Sequence, residues 1–327
     1  MRALVVGCGS IGRRHTANLR TLGVERIATY DAVAEQGRAA AAQFHTEYVE
    51  SLDAALENGG FDLTLVCTPP STHLEISRRA VASGSNVFVE KPLSNDLAGV
   101  DALISEARLA ERFVAVGYNL RFHAGIRRLK EVVESGEIGV PLIIRAEVGQ
   151  YLPDWRAGSD YRSGYNASAA MGGGIILDAS HELDYVRWLG GEVTAVSCVA
   201  AHLTTLDIDV EDAAAITMRL ASGAIAEVHL DSIQRVYARN CKLIGEEGTA
   251  RWEFGEDVRL FSASSAHWKT LPATADPNDM YLDEMKHVLQ CAAGESVPLV
   301  GAEEGRRVLE IVLAAKESSR SAQEVVL

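Results

Sequence analysis

Along the first third of the chain, short apolar runs alternate with stretches of helical composition. Residues 3–6, 26–30, 46–49, 63–67, 86–90 and 113–118 are rich in β-branched, aliphatic and aromatic side chains and are broken by Gly, Pro, Asn or Asp, which predicts strands. The run at 87–89 has no polar alternation and reads as a strand buried on both faces, as in parallel sheets. Between these runs, residues 13–22, 32–44, 52–58, 73–83 and 96–110 predict helices, the first with apolar positions near period 3.6. Ser71 or Thr72 is placed to cap the helix at 73–83. Linkers are short, so each strand–helix–strand unit fits a right-handed crossover. Further on the pattern changes. Residues 125–134 predict an amphipathic helix closed by the glycines of SGEIG, and residues 142–150 alternate as the first strand of a second sheet. Strands are then expected at 194–201, 214–220, 224–231, 240–244, 250–254 and 258–262, with Ser222-Gly223 as a hairpin turn, and helices at 175–189, 280–293 and 301–319. The fold class is α/β, with a domain boundary near 120: residues 1–120 form a parallel-sheet domain and residues 121–327 an α+β domain on a large open, mostly antiparallel sheet.

Length and composition agree with that division. At 327 residues the chain exceeds what one core usually supports, while 47% hydrophobic and 23% charged residues leave apolar material for two. A net charge of −14 repels phosphate backbones and anionic membranes, so neither nucleic acid nor membrane is an expected partner. The five cysteines are scattered without a CxxC, which argues against a disulfide framework or zinc site and for a cytoplasmic location. No window reaches the length of a membrane span, no targeting segment is evident, and no metal is expected.

The chemistry begins at Gly7-Cys8-Gly9-Ser10-Ile11-Gly12, set between a strand and a helix. Gly7 permits the tight turn, Gly9 lets the backbone approach a pyrophosphate, and Gly12 lets the helix pack on the strand, with the pyrophosphate at the helix N-terminus over Ser10 and Ile11. The second strand ends in Asp31, placed to accept hydrogen bonds from an adenosine ribose and to repel a 2′-phosphate, so NAD is favoured over NADP. Arg13 and Arg14 are nearby cations that would suit that phosphate. Thr68-Pro69-Pro70-Ser71-Thr72-His73 is a rigid turn after the fourth strand. Thr68 and Pro69 are expected to line the cofactor, and His73 either reaches it or is held locally at the helix start. Glu90 and Lys91 close the fifth strand. Pro92 cannot continue the ladder, so Lys91 stands at the carboxyl edge of the sheet, where such folds bind ligands.

GCGSIG, CTPPSTH, VEKPL and VGYNLRF, in that order, resemble the glucose-fructose oxidoreductase, inositol dehydrogenase and MocA family over essentially the whole chain. The resemblance implies an N-terminal dinucleotide-binding Rossmann domain, a C-terminal domain on an open mixed sheet, and a lysine in EKP, here Lys91, that acts as general acid/base or orients the substrate hydroxyl. It also implies a histidine facing that lysine. His181 and Asp184 keep the family's HxxD phase, whereas the aspartate upstream, Asp178, stands three residues before His181 instead of four.

Beside the resemblance, the residues suggest a substrate side. Asn119 and Arg121 follow the last strand of the first domain; Arg121 either contacts substrate or stitches the domains together. The polar, aromatic stretch YLPDWRAGSDYRSGYNASAA at 151–170 offers Trp155, Arg156, Tyr161, Arg162 and Tyr165 for stacking and hydrogen bonding to a polyol, or for an oligomer interface. Helical spacing puts Asp178, His181 and Tyr185 on one face, with His181 and Asp178 as catalytic partners of Lys91 or His181 as a core histidine. With few helices to cover both sheet faces, a homodimer or homotetramer through the C-terminal sheet is expected. The main expectation is an NAD-dependent dehydrogenase exchanging hydride with a secondary alcohol or ketone of a sugar, amino sugar, cyclitol or related polyol. The rivals are a dinucleotide-bound sensor without turnover and a reductase of a cyclic imine or C=C bond. YLPDWR, DYRSGY and LDASHELDYVRWL are also similar to family members associated with sialic-acid-like sugars.

Overall fold

Residues 156, 157 and 159 excepted, a computed structural model describes the chain, which divides into two units: Met1–Asn119 with Tyr281–Leu309, and Leu120–Met280 with Glu310–Leu327. The first unit opens with β1 (Arg2–Val6), α1 (Ser10–Thr21), β2 (Arg26–Tyr30), α2 (Ala34–Phe44) and β3 (Glu47–Tyr48). It continues through α3 (Leu52–Asn58), β4 (Leu63–Val66), α4 (Pro70–Ala82), β5 (Asn86–Glu90), α5 (Val100–Leu109) and β6 (Val114–Gly117). Among the described residues these strands form one parallel sheet in the order β3-β2-β1-β4-β5-β6, the order of a doubly wound dinucleotide fold. Its strands are buried on both faces, which explains their unbroken apolar runs.

Three helix starts differ from the sequence reading by three residues or more, α1 beginning at Ser10 instead of residue 13. α4 begins at Pro70, with Pro69 as N-cap and no side-chain cap; the Thr72 hydroxyl turns back to Thr68 Oγ1 and the Pro69 carbonyl. Proline at the first helical position supplies the start that Ser71 or Thr72 was expected to supply. α5 starts at Val100 instead of residue 96, behind Gly99 at φ 83°.

The second unit contains α6 (Ala124–Ser135), β7 (Pro141–Gly149), α7 (Ile175–Asp178), α8 (Ser180–Gly190), β8 (Val193–Ala201), β9 (Ala213–Leu220) and β10 (Ile225–Asp231). β11 (Ala238–Gly245), β12 (Gly248–Glu253), β13 (Val258–Ser262) and β14 (His267–Leu271) follow, then α9 (Asp279–Ala292), α10 (Ala302–Ser321) and β15 (Val325–Val326). The sheet order is β14-β13-β12-β11-β7-β10-β9-β8-β15, antiparallel except for the β10–β7 pair. The strands β14 and β15 have no counterpart in the sequence reading, because β14 is almost wholly exposed and β15 is two residues long.

The boundary expected at 120 needs one correction. Residues 281–309 return to the first unit, where Met285 and Val288 of α9 join a core with Val5, Leu19, Leu63 and Phe88, and Gly301 bridges Ala115 of β6. That apolar face can be buried only against the parallel sheet's own helix layer, so sequence distance does not decide its domain.

In the second unit, α8 packs on the sheet face that carries Ile144, and a Cβ at Gly190 would stand 2.5 Å from the Ile144 side chain. The opposite face is open and holds a basin of about 820 Å³ lined by Arg145, Glu147, Thr217, Glu227, His229 and Lys242, among others. Arg145 and Glu227 pair there at 2.6 Å.

His123 caps α6, its Nδ1 accepting from the Gly125 amide at 3.0 Å, with its ring against Trp252. Burial, helped by Arg239, pushes its pKa down to about 4. A histidine neutral in the fold but free to protonate when unfolded withholds stability as pH falls: the contribution is complete above the ordinary value of 6.5 and is lost on the way down to about 4. We therefore expect His123→Asn, which keeps a capping oxygen, to flatten the loss of stability between these pH values. Chemical denaturation across that range measures it, and an unchanged slope would refute the assignment.

Candidate active site

In the first unit the glycine turn has the shape the sequence demands. A Cβ at Gly12 would lie 1.9 Å from the Gly7 carbonyl oxygen, and one at Gly7, where φ is +96°, would lie 2.5 Å from the Cys67 carbonyl. At Gly9, by contrast, no described atom lies within 4 Å of that position. Open space over Gly9, at the start of the twelve-residue α1, is the cradle a pyrophosphate fills, with the amides of Ser10 and Ile11 at the helix N-terminus. Asp31 is fixed at the end of β2, Oδ2 accepting from the Cys8 amide at 2.7 Å and Oδ1 from the Val33 amide at 2.8 Å. The two neighbouring arginines are committed elsewhere. Arg13 donates to the Cys8 carbonyl and to Gln43, and Arg14 stacks 4.3 Å over the ring of Tyr281. The chain's own residues thus fit NAD, with a carboxylate at the ribose end and both cations engaged.

β5 delivers Glu90 and Lys91 to the same carboxyl edge of the sheet as Gly7 and Asp31. Lys91 is partly exposed. Its backbone N–H donates to Glu90 Oε2 at 3.2 Å, and Glu90 Oε1 meets His15 Nε2 at 2.7 Å. Asn119 is 4% exposed, and its side chain hydrogen-bonds Tyr281, whose pKa burial raises.

His73 does not line a cofactor. It is fully buried, with Nδ1 2.8 Å from the Pro92 carbonyl and Nε2 2.7 Å from the Thr68 carbonyl. Burial lowers its pKa, while those carbonyls and Glu90 pull the other way. Its cofactor role is withdrawn because no ring atom faces solvent; Thr68 and Pro69, on the turn it holds, keep theirs as expectations.

In the second unit the expected helix at 175–189 is broken at Ala179 into α7 and α8. Asp178, His181 and Tyr185 therefore do not share one continuous helical face. Asp178, at the end of α7, accepts from Tyr165 Oη at 2.6 Å and from Asn166 Nδ2 at 2.5 Å, while Tyr185 is fully buried with its hydroxyl 3.5 Å from the Asn240 carbonyl. Only His181, in the first turn of α8, remains partly exposed. Asp178 is thereby a latch for the polar loop, and its catalytic role has no geometric support.

Arg121 also changes role. Its guanidinium grips Asp184 through Nε at 3.1 and 3.0 Å and Nη2 at 2.7 Å; the two side chains are 2% and 0% exposed. A bidentate buried pair leaves it no path to substrate. Both partners belong to the second unit, so this is internal bracing of that unit.

In the polar loop, Leu152–Asp154, Tyr161–Ser163, Tyr165–Ala167 and Ala169–Met171 form short 3-10 turns, with Trp155 Nε1 donating to the Gln150 carbonyl at 2.7 Å and Tyr161 Oη accepting from the Asp207 amide at 3.1 Å. Arg162 pairs with Asp160 instead of reaching outward, and Arg156 lies outside the described residues. Trp155, Tyr161 and Tyr165 are all partly exposed, and the first two line a recess of about 100 Å³. Sequence reasoning missed His15, Asn166 and Tyr281. His15 shares a buried helical stripe with Gly12 and Leu19, a spacing visible in the chain, but the contacts of Asn166 and Tyr281 arise only from tertiary folding.

Comparison with known proteins adds a family context. Residues 1–118 match the model described as an oxidoreductase family with an NAD-binding Rossmann fold, and residues 126–251 match the GFO/IDH/MocA C-terminal domain. The chain is 29% identical to a myo-inositol 2-dehydrogenase of Thermotoga maritima, covering 100% of this chain and 98% of that one. It is 31% identical to an inositol 2-dehydrogenase of Acidiphilium cryptum over 82% and 80% of the two chains. Among solved structures, the WlbA dehydrogenase from Bordetella pertussis, in complex with NADH and UDP-GlcNAcA, has the same fold, with a TM-score of 0.85, 23% identity, and 100% and 98% coverage.

Proposed function

Because the chain belongs to the GFO/IDH/MocA oxidoreductase family and is an NAD-dependent dehydrogenase acting on CH–OH groups, we propose that its substrate is a secondary alcohol of a sugar, amino sugar, cyclitol or related polyol. The observation that carries this reading is Lys91, held at the carboxyl edge of β5, the edge on which the glycine turn and Asp31 also stand. NAD, when bound, supplies the hydride acceptor. Lys91 in its uncharged form takes the hydroxyl proton as the carbon is oxidised and returns it in the reverse reduction. His181 is the second acid/base group, proposed on its chemistry and partial exposure, and Asn119, Trp155, Tyr161 and Tyr165 are proposed to orient the polyol.

The substrate class is tested by following NAD reduction over a panel of cyclitols, free sugars, amino sugars and nucleotide-linked sugars, the last included because the similar B. pertussis dehydrogenase was solved with UDP-GlcNAcA. Turnover confined to non-hydroxylated imines or enones would overturn the reading. For the cofactor, Asp31→Ala is expected to cut the preference for NAD over NADP by roughly 10-fold or more, since the ribose loses its charged acceptor and a 2′-phosphate its repulsion. Calorimetry with both dinucleotides measures it.

Two further proposals are coarser. The open sheet face is where a second copy of the chain would bind, giving a dimer or tetramer. The five cysteines, all free and buried, suit a reducing cytoplasmic compartment. No helix among the described residues is long and apolar enough to cross a membrane.

A further inference from the structure

Lys91 is flanked by two residues that are each held by a buried histidine from a different helix. On one side, His15 of α1 meets Glu90 Oε1 at 2.7 Å; on the other, His73 of α4 meets the Pro92 carbonyl at 2.8 Å. Both rings are 0% exposed. His15 is set edge-on against Phe88, at 5.0 Å between ring centres, and against Tyr281, so it has little room to turn. With one Glu90 oxygen taken by His15, the other is left under the Lys91 amide at 3.2 Å. His73 also reaches the Thr68 carbonyl, which ties the turn after β4 to the turn after β5.

We propose that His15 and His73 position the Lys91 amine by gripping the residues on either side of it, Glu90 and Pro92. Neither touches substrate. The physical need is plain: lysine has four rotatable side-chain bonds, and a proton-transfer group is efficient only when its root is fixed to within a fraction of an ångström. Strand β5 ends at Glu90, so the ladder stops short of Lys91 and Pro92; His15 fixes the side chain of that last ladder residue and His73 the Pro92 carbonyl. Glu90 also faces Cys67 beyond the end of β4 and Tyr281 of α9, both groups whose pKa burial raises; Cys8 lies near Cys67, and Arg14 and Glu284 act on Tyr281.

The inference rests on the reading of Lys91 as the proton carrier, and the experiment separates the two. The full chain with NAD bound is compared as wild type, Lys91→Ala, His15→Ala, His15→Gln, His73→Ala and His73→Asn. Glutamine carries an N–H near the position of His15 Nε2, and asparagine one near His73 Nδ1, so each keeps the bond to the EKP turn and loses the ring. Two quantities are read: kcat and KM on a substrate found in the polyol screen, and the pH dependence of Lys91 acetylation by trace acetic anhydride, followed by peptide mass spectrometry. The second needs no substrate.

His15→Ala is expected to lower kcat by roughly 10- to 100-fold with KM and the NAD dissociation constant within about 3-fold, His15→Gln to recover to within about 5-fold of wild type, and His73→Asn to stay within that range while His73→Ala falls as His15→Ala does. The acetylation profile of Lys91 should move in His15→Ala and return in His15→Gln. If His15→Ala does not fold, His15→Asn, too short to reach Glu90, is set against His15→Gln with the same expectation. Wild-type kcat and an unmoved acetylation profile in the short variants would overturn the clamp while leaving Lys91 in place. A parallel loss of NAD affinity and kcat would also overturn it, by showing collapse of the sheet edge. Retention of turnover by Lys91→Ala would instead overturn the reading beneath it.

Discussion

Lys91→Ala is expected to lower kcat by about 10³-fold or more while leaving the NAD dissociation constant within about twofold, because a positioned acid/base group contributes to the transition state and not to the dinucleotide site. The glycine turn and Asp31, proposed to carry that site, are fixed by the Cys8 and Val33 amides and by the close Cys67 carbonyl. Lys91→Arg should be nearly as inactive as alanine. A guanidinium keeps the charge and part of the length but does not release its proton at any working pH. The pair of variants therefore distinguishes proton transfer from simple electrostatic orientation. If Lys91→Arg retains more than about a tenth of the wild-type rate, the lysine holds the substrate hydroxyl and another group moves the proton. Steady-state rates with saturating NAD, alongside calorimetric titration of the dinucleotide, decide between these outcomes.

The second large effect lies away from the chemistry. Arg121→Ala is expected to destabilise the protein by about 3 to 5 kcal/mol, because it removes one side of a buried ion pair and leaves the fully buried Asp184 without the guanidinium that grips it. For a unit of this size such a loss is roughly 6 to 20 °C in Tm, read by calorimetry or thermal denaturation. Removing both charges should cost much less. Arg121→Met with Asp184→Leu fills a similar volume without a buried charge, and replacements of this kind are often neutral. If Arg121→Ala were instead as stable as wild type and altered only KM, the guanidinium would belong to the substrate after all.

The dinucleotide half was legible in the chain. Its signals are local: an apolar run entering three glycines in register, an acidic residue closing the next strand, and a proline that stops the fifth strand beside a lysine. Each acts within a few residues, through φ/ψ limits or the loss of a ladder hydrogen bond, so spacing is enough to read it. Helix starts were less secure: at α4 a Pro at the first turn displaced the side-chain cap the pattern offered, and at α5 Gly99, at φ 83°, set the start.

What folding alone decided is which polar side chains are spent on structure. His73, Arg121 and Asp178 all have the chemistry of site residues, and each is consumed by partners 5 to 63 positions away: Pro92 and Thr68, Asp184, and Tyr165. A polar group removed from water must find a partner, and no one-dimensional pattern tells which partner stands within 3 Å. The return of α9 to the first unit has the same origin, since an apolar helix face declares that it will be buried but not against what. The sequence by itself determined the fold class, the glycine turn and the place of Lys91 at the end of β5. The tertiary structure decided that His15 and His73 surround that lysine, because only packing brings α1 and α4 to the end of β5.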